Sequence, residues 1–164
     1  MVVGATGTQK PVDGSFPTHW IGHVGCDDQL AKLYAAVDVT VVPSRIENLP
    51  QMATEALSSG CPVAGFRTGG MPEVVVDRVC GTLADPYDAA ALADGIAWIV
   101  ADPLRHRALS QAARQRALAC WSASKVLPRY LSVYESAIAD RRSRHASAGR
   151  DTGLLGDTPT HAGS

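Results

Sequence analysis

The chain has 164 residues, 46% of them apolar and 19% charged, with a net charge of −1. That length allows one domain with a sizeable core, and the near-neutral balance supplies no field for nucleic acid or for a membrane surface. No apolar run approaches the ~20 residues of a membrane helix. The N-terminus does not read as a secretory signal. The cysteines, Cys26, Cys61, Cys80 and Cys120, show no C-x-x-C spacing and read as reduced thiols of a cytosolic protein.

Met1 to Gly4 reads as the tail of a buried strand. A domain rarely starts there, so the expectation is a fragment or a misplaced start. Ala5 to Thr18, rich in Gly, Pro and Thr, reads as a connecting loop. His19 to Val24 reads as a strand. On a strand, His19 and His23 lie about 13 Å apart at ~3.3 Å per residue, too far for one ion, so no metal site is expected. Asp27 or Asp28 is placed to cap a helix over Gln29–Val37, with Leu30, Leu33, Tyr34 and Val37 as its apolar stripe and Tyr34 in the core.

Asp38–Val42 and Pro62–Phe66 are apolar runs without alternation, as in strands covered on both faces. Between them lies a short helix. Pro50 fits its first position, Asn48 or Leu49 its cap, and Gly60 the left-handed position past its end. A strand–helix–strand unit of this length is a right-handed crossover. Its ligand belongs beyond the carboxyl ends of the strands, in the loops Pro43–Pro50 and Arg67–Pro72. The helix N-terminus in the first loop suits a phosphate. Paired Gly69 and Gly70 in the second permit close approach to a ligand. Arg45 and Arg67 stand in the same loops, facing either a pyrophosphate or solvent.

Glu47 precedes that helix, and Glu55 lies roughly 7.5 Å along it at ~1.5 Å per residue. Either alone reads as a solvated side chain. Together they flank the helix start, and a carboxylate, which only accepts hydrogen bonds, takes hydroxyls as partners. A phosphate between two hydroxyl-bearing groups describes a nucleotide sugar.

Gly81–Ala84 reads as a last strand, closed by Asp85-Pro86. Asp88 caps a helix over Ala89–Val100 with Leu92, Ile96 and Ile99 on one face. Pro103 opens another through Ala119, whose Arg105, Arg107, Arg114 and Arg116 read as a solvated face. Ser122 caps a third, with Val126, Leu127, Tyr130, Val133, Tyr134 and Ile138 inward. Pro128 is expected to kink it or delay its start. From Asp140 the composition cannot order itself by burial, and Arg141, Arg142 and Arg144 are thin grounds for lipid contact. The expected division is a domain over residues 1–139 and a disordered tail over 140–164.

Glu47 and Glu55, with seven residues between them, resemble the E-x7-E motif of retaining glycosyltransferases of the GT-B fold, family four. Gly22-His23-Val24 resembles the family's G-x-V strand. Leu30 to Asp38 resembles its L-x-x-L-Y-x-x-A-D segment, with Val37 in place of the usual Ala. Pro43-Ser44, Glu55-Ala56-Leu57, Gly60-Cys61-Pro62-Val63, Gly69-Gly70-Met71-Pro72-Glu73, Gly81 and Asp85-Pro86-Tyr87-Asp88 follow in order, so the likeness covers Val2 to Ala139.

The resemblance implies an α/β, Rossmann-like parallel sheet flanked by helices, the C-terminal donor-binding half of a GT-B enzyme. It makes Glu47 the candidate catalytic residue, on the donor-sugar hydroxyls, and sets Glu55 on the ribose. Backbone amides at Asn48, Leu49 and Gln51 meet phosphate and sugar. Pro50 replaces the family's common Gly and has no N–H, so one contact is absent or shifted to Gln51. Gly69, Gly70 and Arg67 join the donor side, and backbone near Val24 and Gly25 holds the base. The implied donor is UDP- or GDP-linked, with no cofactor; the lack of a D-x-D motif agrees with metal independence. The Asn48-Leu49-Pro50 variant resembles enzymes of bacterial surface-polysaccharide synthesis, which use glycan or lipid-linked acceptors. Such an enzyme would be cytoplasmic, with peripheral membrane association through its full length.

The family's pyrophosphate-gripping strand and its acceptor domain have no counterpart here. The chain alone is therefore expected to bind donor weakly or not at all and to transfer nothing. The alternative is a non-catalytic nucleotide-sugar-binding subunit that pairs with a separate acceptor-domain chain. A GT-B sugar-nucleotide epimerase is opposed by the Glu47–Glu55 spacing with Gly69-Gly70.

Overall fold

The computed structural model describes residues 2–3 and 17–151, with side chains from 17 to 144. Most of the expected N-terminal loop and residues 152–164 lie outside the described residues. The chain divides into two compact units, Met1–Ala119 and Cys120–Ser164.

In the first unit, β1 (Val2–Val3) and β2 (Trp20–Gly22) form a parallel pair. After α1 (Asp27–Ala35) come β3 (Thr40–Val42), α2 (Gln51–Ser58), β4 (Val63–Phe66), α3 (Met71–Val74) and β5 (Gly81–Ala84). The three later strands form one parallel sheet in the order β3-β4-β5, in register Thr40↔Val63 and Val63↔Gly81. Every residue of β4 and β5 is buried, as a parallel sheet covered on both faces requires. Ala53, Ala56 and Leu57 of α2 are buried. Phe66 and Ala84 of the sheet pack with Leu92 and Ile99 of α4 (Ala89–Val100) and Leu109 of α5 (Pro103–Trp121).

Local chemistry sets the ends of these elements. Asp88 caps α4 as expected, its Oδ1 accepting from the Ala91 N–H at 2.9 Å. Asp102, which sequence reasoning passed over, accepts from the N–H groups of Leu104 and Arg105 at the start of α5. At the end of α2, Gly60 adopts φ +76°. Its N–H bonds to the Leu57 carbonyl, and that of Cys61 to the Ala56 carbonyl, the paired closure that a left-handed residue permits. The cap of α1 differs from expectation. Its N-cap is Cys26, with Asp27 and Asp28 inside the first turn and no side-chain capping bond; there they still favour the positive end of the helix dipole.

Of the four arginines of α5 read as a solvated face, Arg107 is exposed as expected, whereas Arg105, Arg114 and Arg116 bond to neighbouring backbone. Arg114 donates to the Ser58 carbonyl at the end of α2. Arg116 donates to the carbonyls of Val74, at 2.6 Å, and Glu73, at the end of α3. A helix leaves its last four carbonyls unpaired and its C-terminus negative, so a cation from a neighbouring helix satisfies both. Arg105 donates to the Trp98 carbonyl at 2.8 Å. Its guanidinium and that of Arg78 each stand 4.3 Å from the Trp98 ring centroid, within cation–π range.

The second unit is α6 (Ala123–Asp151), a single helix that carries Pro128 inside it. The helix thus starts ahead of the proline rather than after it. Lys125 and Val126 bond back to the Ser122 carbonyl, so its first turn is already made where Pro128 withholds its N–H. One further expectation fails here. Leu127, Tyr130, Val133, Tyr134 and Ile138 are exposed rather than inward. Residues 140–151 belong to the same helix. Composition rules out burial there, but a helix needs only local bonds. Ala and Arg propagate one well, and Asp140 precedes Arg144 at the favourable i,i+4 spacing. No described helix is long and apolar enough to cross a membrane.

Arg116→Ala is expected to lower unfolding stability by about 1–3 kcal/mol, because losing a charged donor leaves two helix-end carbonyls unmet. Arg107→Ala, on an exposed position of the same helix, should stay within about 0.5 kcal/mol. Urea denaturation of both variants checks the difference.

Candidate functional site

Residues 43–50 link β3 to α2, and residues 67–70 follow β4, so both loops lie at the carboxyl rim of the sheet. The glycine pair joins them. The Gly70 N–H donates to the Asn48 carbonyl at 2.7 Å. A Cβ on Gly69 (φ +49°) would stand 1.6 Å from the Glu47 carbonyl oxygen, and one on Gly70 would stand 2.1 Å from that of Asn48. No real contact is that short, so both positions exclude any side chain. The close approach expected at these glycines is made to the backbone of Glu47 and Asn48. Thr68 adds a bond from its hydroxyl to the Ser44 carbonyl at 3.3 Å. The main chain that carries Glu47 is thereby held from the side.

Within this loop, Glu47 is half-buried, and its Oε1 accepts from the Asn48 N–H at 3.2 Å. Asn48 and Leu49 are exposed. Pro50 is the N-cap residue of α2, with no side-chain capping bond. This corrects the assignment of the cap to Asn48 or Leu49 and of Pro50 to the first turn, by one position. Proline suits the cap because an N-cap needs extended backbone, and Pro50 sits at φ −72°, ψ 101°. The N–H groups of Ala53 and Thr54 turn back to the Pro50 carbonyl. Helix geometry leaves those of Gln51 and Met52 without intrahelical partners, at the positive end of the dipole.

Glu55 lies on the exposed face of α2, opposite the buried Ala53, Ala56 and Leu57. Its Oε2 accepts a bond from the Tyr34 hydroxyl of α1 at 3.1 Å. Tyr34 was expected in the core; it is half-buried, with its hydroxyl on this carboxylate. Burial first, then the Glu55 charge and hydrogen bond, push its phenol up to about 12.

The cations of the rim separate. Arg67 donates to the Leu83 carbonyl at 3.4 Å and stands 3.8 Å from Asp77, so its guanidinium already has two acceptors, one on β5 and one in the segment before it. Arg45 lies over the Tyr87 ring, 5.5 Å from its centroid. The Tyr87 hydroxyl in turn donates to the Arg45 carbonyl at 3.3 Å. Tyr87 adopts φ +69°, a left-handed conformation that costs a non-glycine residue roughly 1–3 kcal/mol. Asp85-Pro86 signals the turn that closes β5, but nothing local signals a tyrosine with positive φ or its place over Arg45.

Val24 is half-buried in the segment between β2 and α1, and no described hydrogen bond joins it to Glu47 or Glu55. Among the described residues, no group of three or more His, Cys, Asp or Glu could hold a metal ion. Two surface grooves, of about 1030 and 460 Å³, lie elsewhere. The larger is lined by Lys32, Ser58, Gly60 and Arg114, at the C-terminal end of α2 and so at the amino rim of the sheet. Size alone would favour it, yet the unpaired helix N–H groups and the clamped carboxylate stand at the carboxyl rim, where open α/β sheets bind ligands.

A parallel β3-β4-β5 sheet flanked by helices, with strand–helix turns at its carboxyl rim, defines a Rossmann-like α/β domain. The family described as glycosyl transferases group 1 matches residues 17–116, and the chain belongs to that family. A D-inositol 3-phosphate glycosyltransferase of Mycolicibacterium vanbaalenii is 42% identical over 122 residues, covering 72% of this chain and 26% of that protein. Sucrose-phosphate synthase from Thermosynechococcus elongatus superposes with a TM-score of 0.70 at 33% identity, over 74% of this chain and 30% of that one. Anabaena Alr3699/HepE, solved in complex with UDP-glucose, superposes with a TM-score of 0.65 at 23% identity, over 71% of this chain and 32% of that one; at that identity the likeness is one of fold. The neighbours are GT-B glycosyltransferases, the fold that the sequence resemblance implies. The chain spans about a quarter of the length of the curated relatives it matches.

Gly70→Ala forces a methyl into the Asn48 carbonyl and is expected to cost about 1–3 kcal/mol of stability, as overpacking does. Gly25→Ala, whose methyl would meet only His23 at 3.6 Å, should change stability by less than about 0.5 kcal/mol. Thermal melts of the two variants side by side test the clamp.

Proposed function

We propose that the chain is the nucleotide-sugar donor domain of a retaining, metal-independent glycosyltransferase of family four. The observation that carries this reading is the clamped rim loop. One strand–helix turn presents the Glu47 carboxylate, then unpaired N–H groups, then the Glu55 carboxylate, and the Gly69–Gly70 backbone fixes where that sequence starts. A sugar diphosphate has the matching order of groups: hydroxyls, anionic phosphates, hydroxyls.

In this reading Glu47 accepts from donor-sugar hydroxyls beside the reacting carbon. The N–H groups of Gln51 and Met52 and the dipole of α2 stabilise the departing diphosphate. Asn48 and Leu49 line the approach with Gly70, and Glu55 takes the ribose hydroxyls. Arg45, which lies over Tyr87 and pairs with no acidic side chain among the described residues, is better placed than Arg67 to meet phosphate charge. A UDP- or GDP-linked donor agrees with the UDP-glucose of the HepE complex. The acceptor, a glycan or a lipid-linked saccharide of a bacterial surface polymer, is met by parts outside this chain. We place the reaction in the cytoplasm, on the inner side of the membrane, where a buried thiol such as that of Cys61 stays reduced.

A second reading is a non-catalytic nucleotide-sugar-binding subunit that pairs with a separate acceptor-domain chain. Addition of an acceptor-domain chain that restores transfer without covalent linkage would favour the subunit.

Titration calorimetry with UDP, GDP and their sugars tests the donor reading. Glu55→Ala is expected to weaken the bound nucleotide by roughly 1.5–3 kcal/mol, the loss of a charged hydrogen-bond partner. Glu47→Ala should weaken the nucleotide sugar and spare the free nucleotide. Equal affinity for wild type and Glu55→Ala would remove Glu55 from the site, and robust sugar transfer by the purified chain would contradict its dependence on a second domain.

A further inference from the structure

We propose that Tyr34 is a positioning residue of the ribose subsite: its hydroxyl, reaching from α1, holds one oxygen of the Glu55 carboxylate so that the other faces the ribose. This rests on the donor reading above.

The geometry supplies the reason. Glu55 is an exposed side chain on α2, and an exposed glutamate turns among many rotamers. Ordering it on binding costs conformational entropy. Tyr34 removes part of that freedom beforehand. Its ring is half-buried on α1, it turns about only two side-chain bonds, and its O–H bonds Oε2 of Glu55 at 3.1 Å. Ionised carboxylates have about four acceptor sites. One donor from Tyr34 fills a single site and leaves Oε1 for two vicinal hydroxyls. The bond is charge-assisted, and so stronger than a neutral one. Burial and the neighbouring carboxylate push the phenol up to about 12, so it remains a proton donor at every physiological pH.

α1 also begins just after the segment that carries Val24 and Gly25. The element that anchors Glu55 is therefore continuous with the loop expected to meet the base. A nucleoside lying along α1 would touch its opening loop with the base and its Tyr34–Glu55 pair with the sugar. A phenylalanine at position 34 keeps the packing and loses the tie.

The test compares UDP and GDP with their 2′,3′-dideoxy forms by titration calorimetry on the full chain, wild type, Tyr34→Phe, Glu55→Ala and the double variant. Wild type is expected to prefer the ribose form. Tyr34→Phe should reduce that preference about three- to tenfold, the range of one hydrogen bond, and leave dideoxy binding unchanged. In the Glu55→Ala background the same change should do nothing more. A purely structural Tyr34 would weaken both nucleotides alike or neither.

Ligand-free titration gives a second readout. The raised phenol adds stability that is fully present below pH 10 and is lost as pH rises through about 12. Tyr34→Phe should flatten that alkaline loss, and Glu55→Ala should lower the pH at which the phenol ionises. Full ribose preference in Tyr34→Phe, with loss in Glu55→Ala, overturns this inference and leaves the donor reading standing. Full preference in both variants overturns both.

Discussion

The rim depends on one contact between two loops. The Gly70 N–H meets the Asn48 carbonyl at 2.7 Å, across a gap that admits no Cβ at either Gly69 or Gly70. Backbone against backbone is a stiffer joint than side chain against side chain, because it has no rotamers to change. The joint fixes Glu47 from the flank while β3 and α2 fix it fore and aft. A carboxylate on a loop becomes usable as a site only when its main chain is held in this way. The third loop adds Tyr87 over Arg45 at the cost of a left-handed tyrosine, so three successive strand ends converge on one short segment.

The far ends of the helices are secured by a different device. Two arginines of α5 close the C-termini of α2 and α3. Those are the helices that flank β4, and each begins at the rim. A helix clipped at its C-terminus cannot slide along its axis, so the position of its N-terminus is defined as well. α5 therefore acts on the site without approaching it. The groove between α1, α5 and the end of α2 belongs to this supporting side.

Much of this was readable in the residues because it is local. Val63–Phe66 carries no alternation and proves buried throughout; Gly60 falls where a left-handed residue closes α2; Asp88 caps α4 through its own side chain. The failures share a cause as well. Periodicity assigns a face to a residue but cannot see how far a guanidinium reaches, so Arg114 and Arg116 read as solvated. Tyr34 fits an apolar stripe, and its hydroxyl finds Glu55 only because α1 packs on α2. The role of Gly69 and Gly70 as partners of another loop is a tertiary fact that spacing does not encode. Pro50 missed by one position, within the shift that separates an N-cap from a first turn.

The central claim is that a nucleotide diphosphate seats at the carboxyl rim, between the clamped loop and the N-terminus of α2. Backbone amide NMR of the chain titrated with UDP and GDP tests it most directly. The account predicts shifts concentrated at Asn48, Gln51, Met52, Glu55 and Gly70. Shifts concentrated instead at Lys32, Gly60 and Ser110, around the larger groove at the opposite rim, would contradict it.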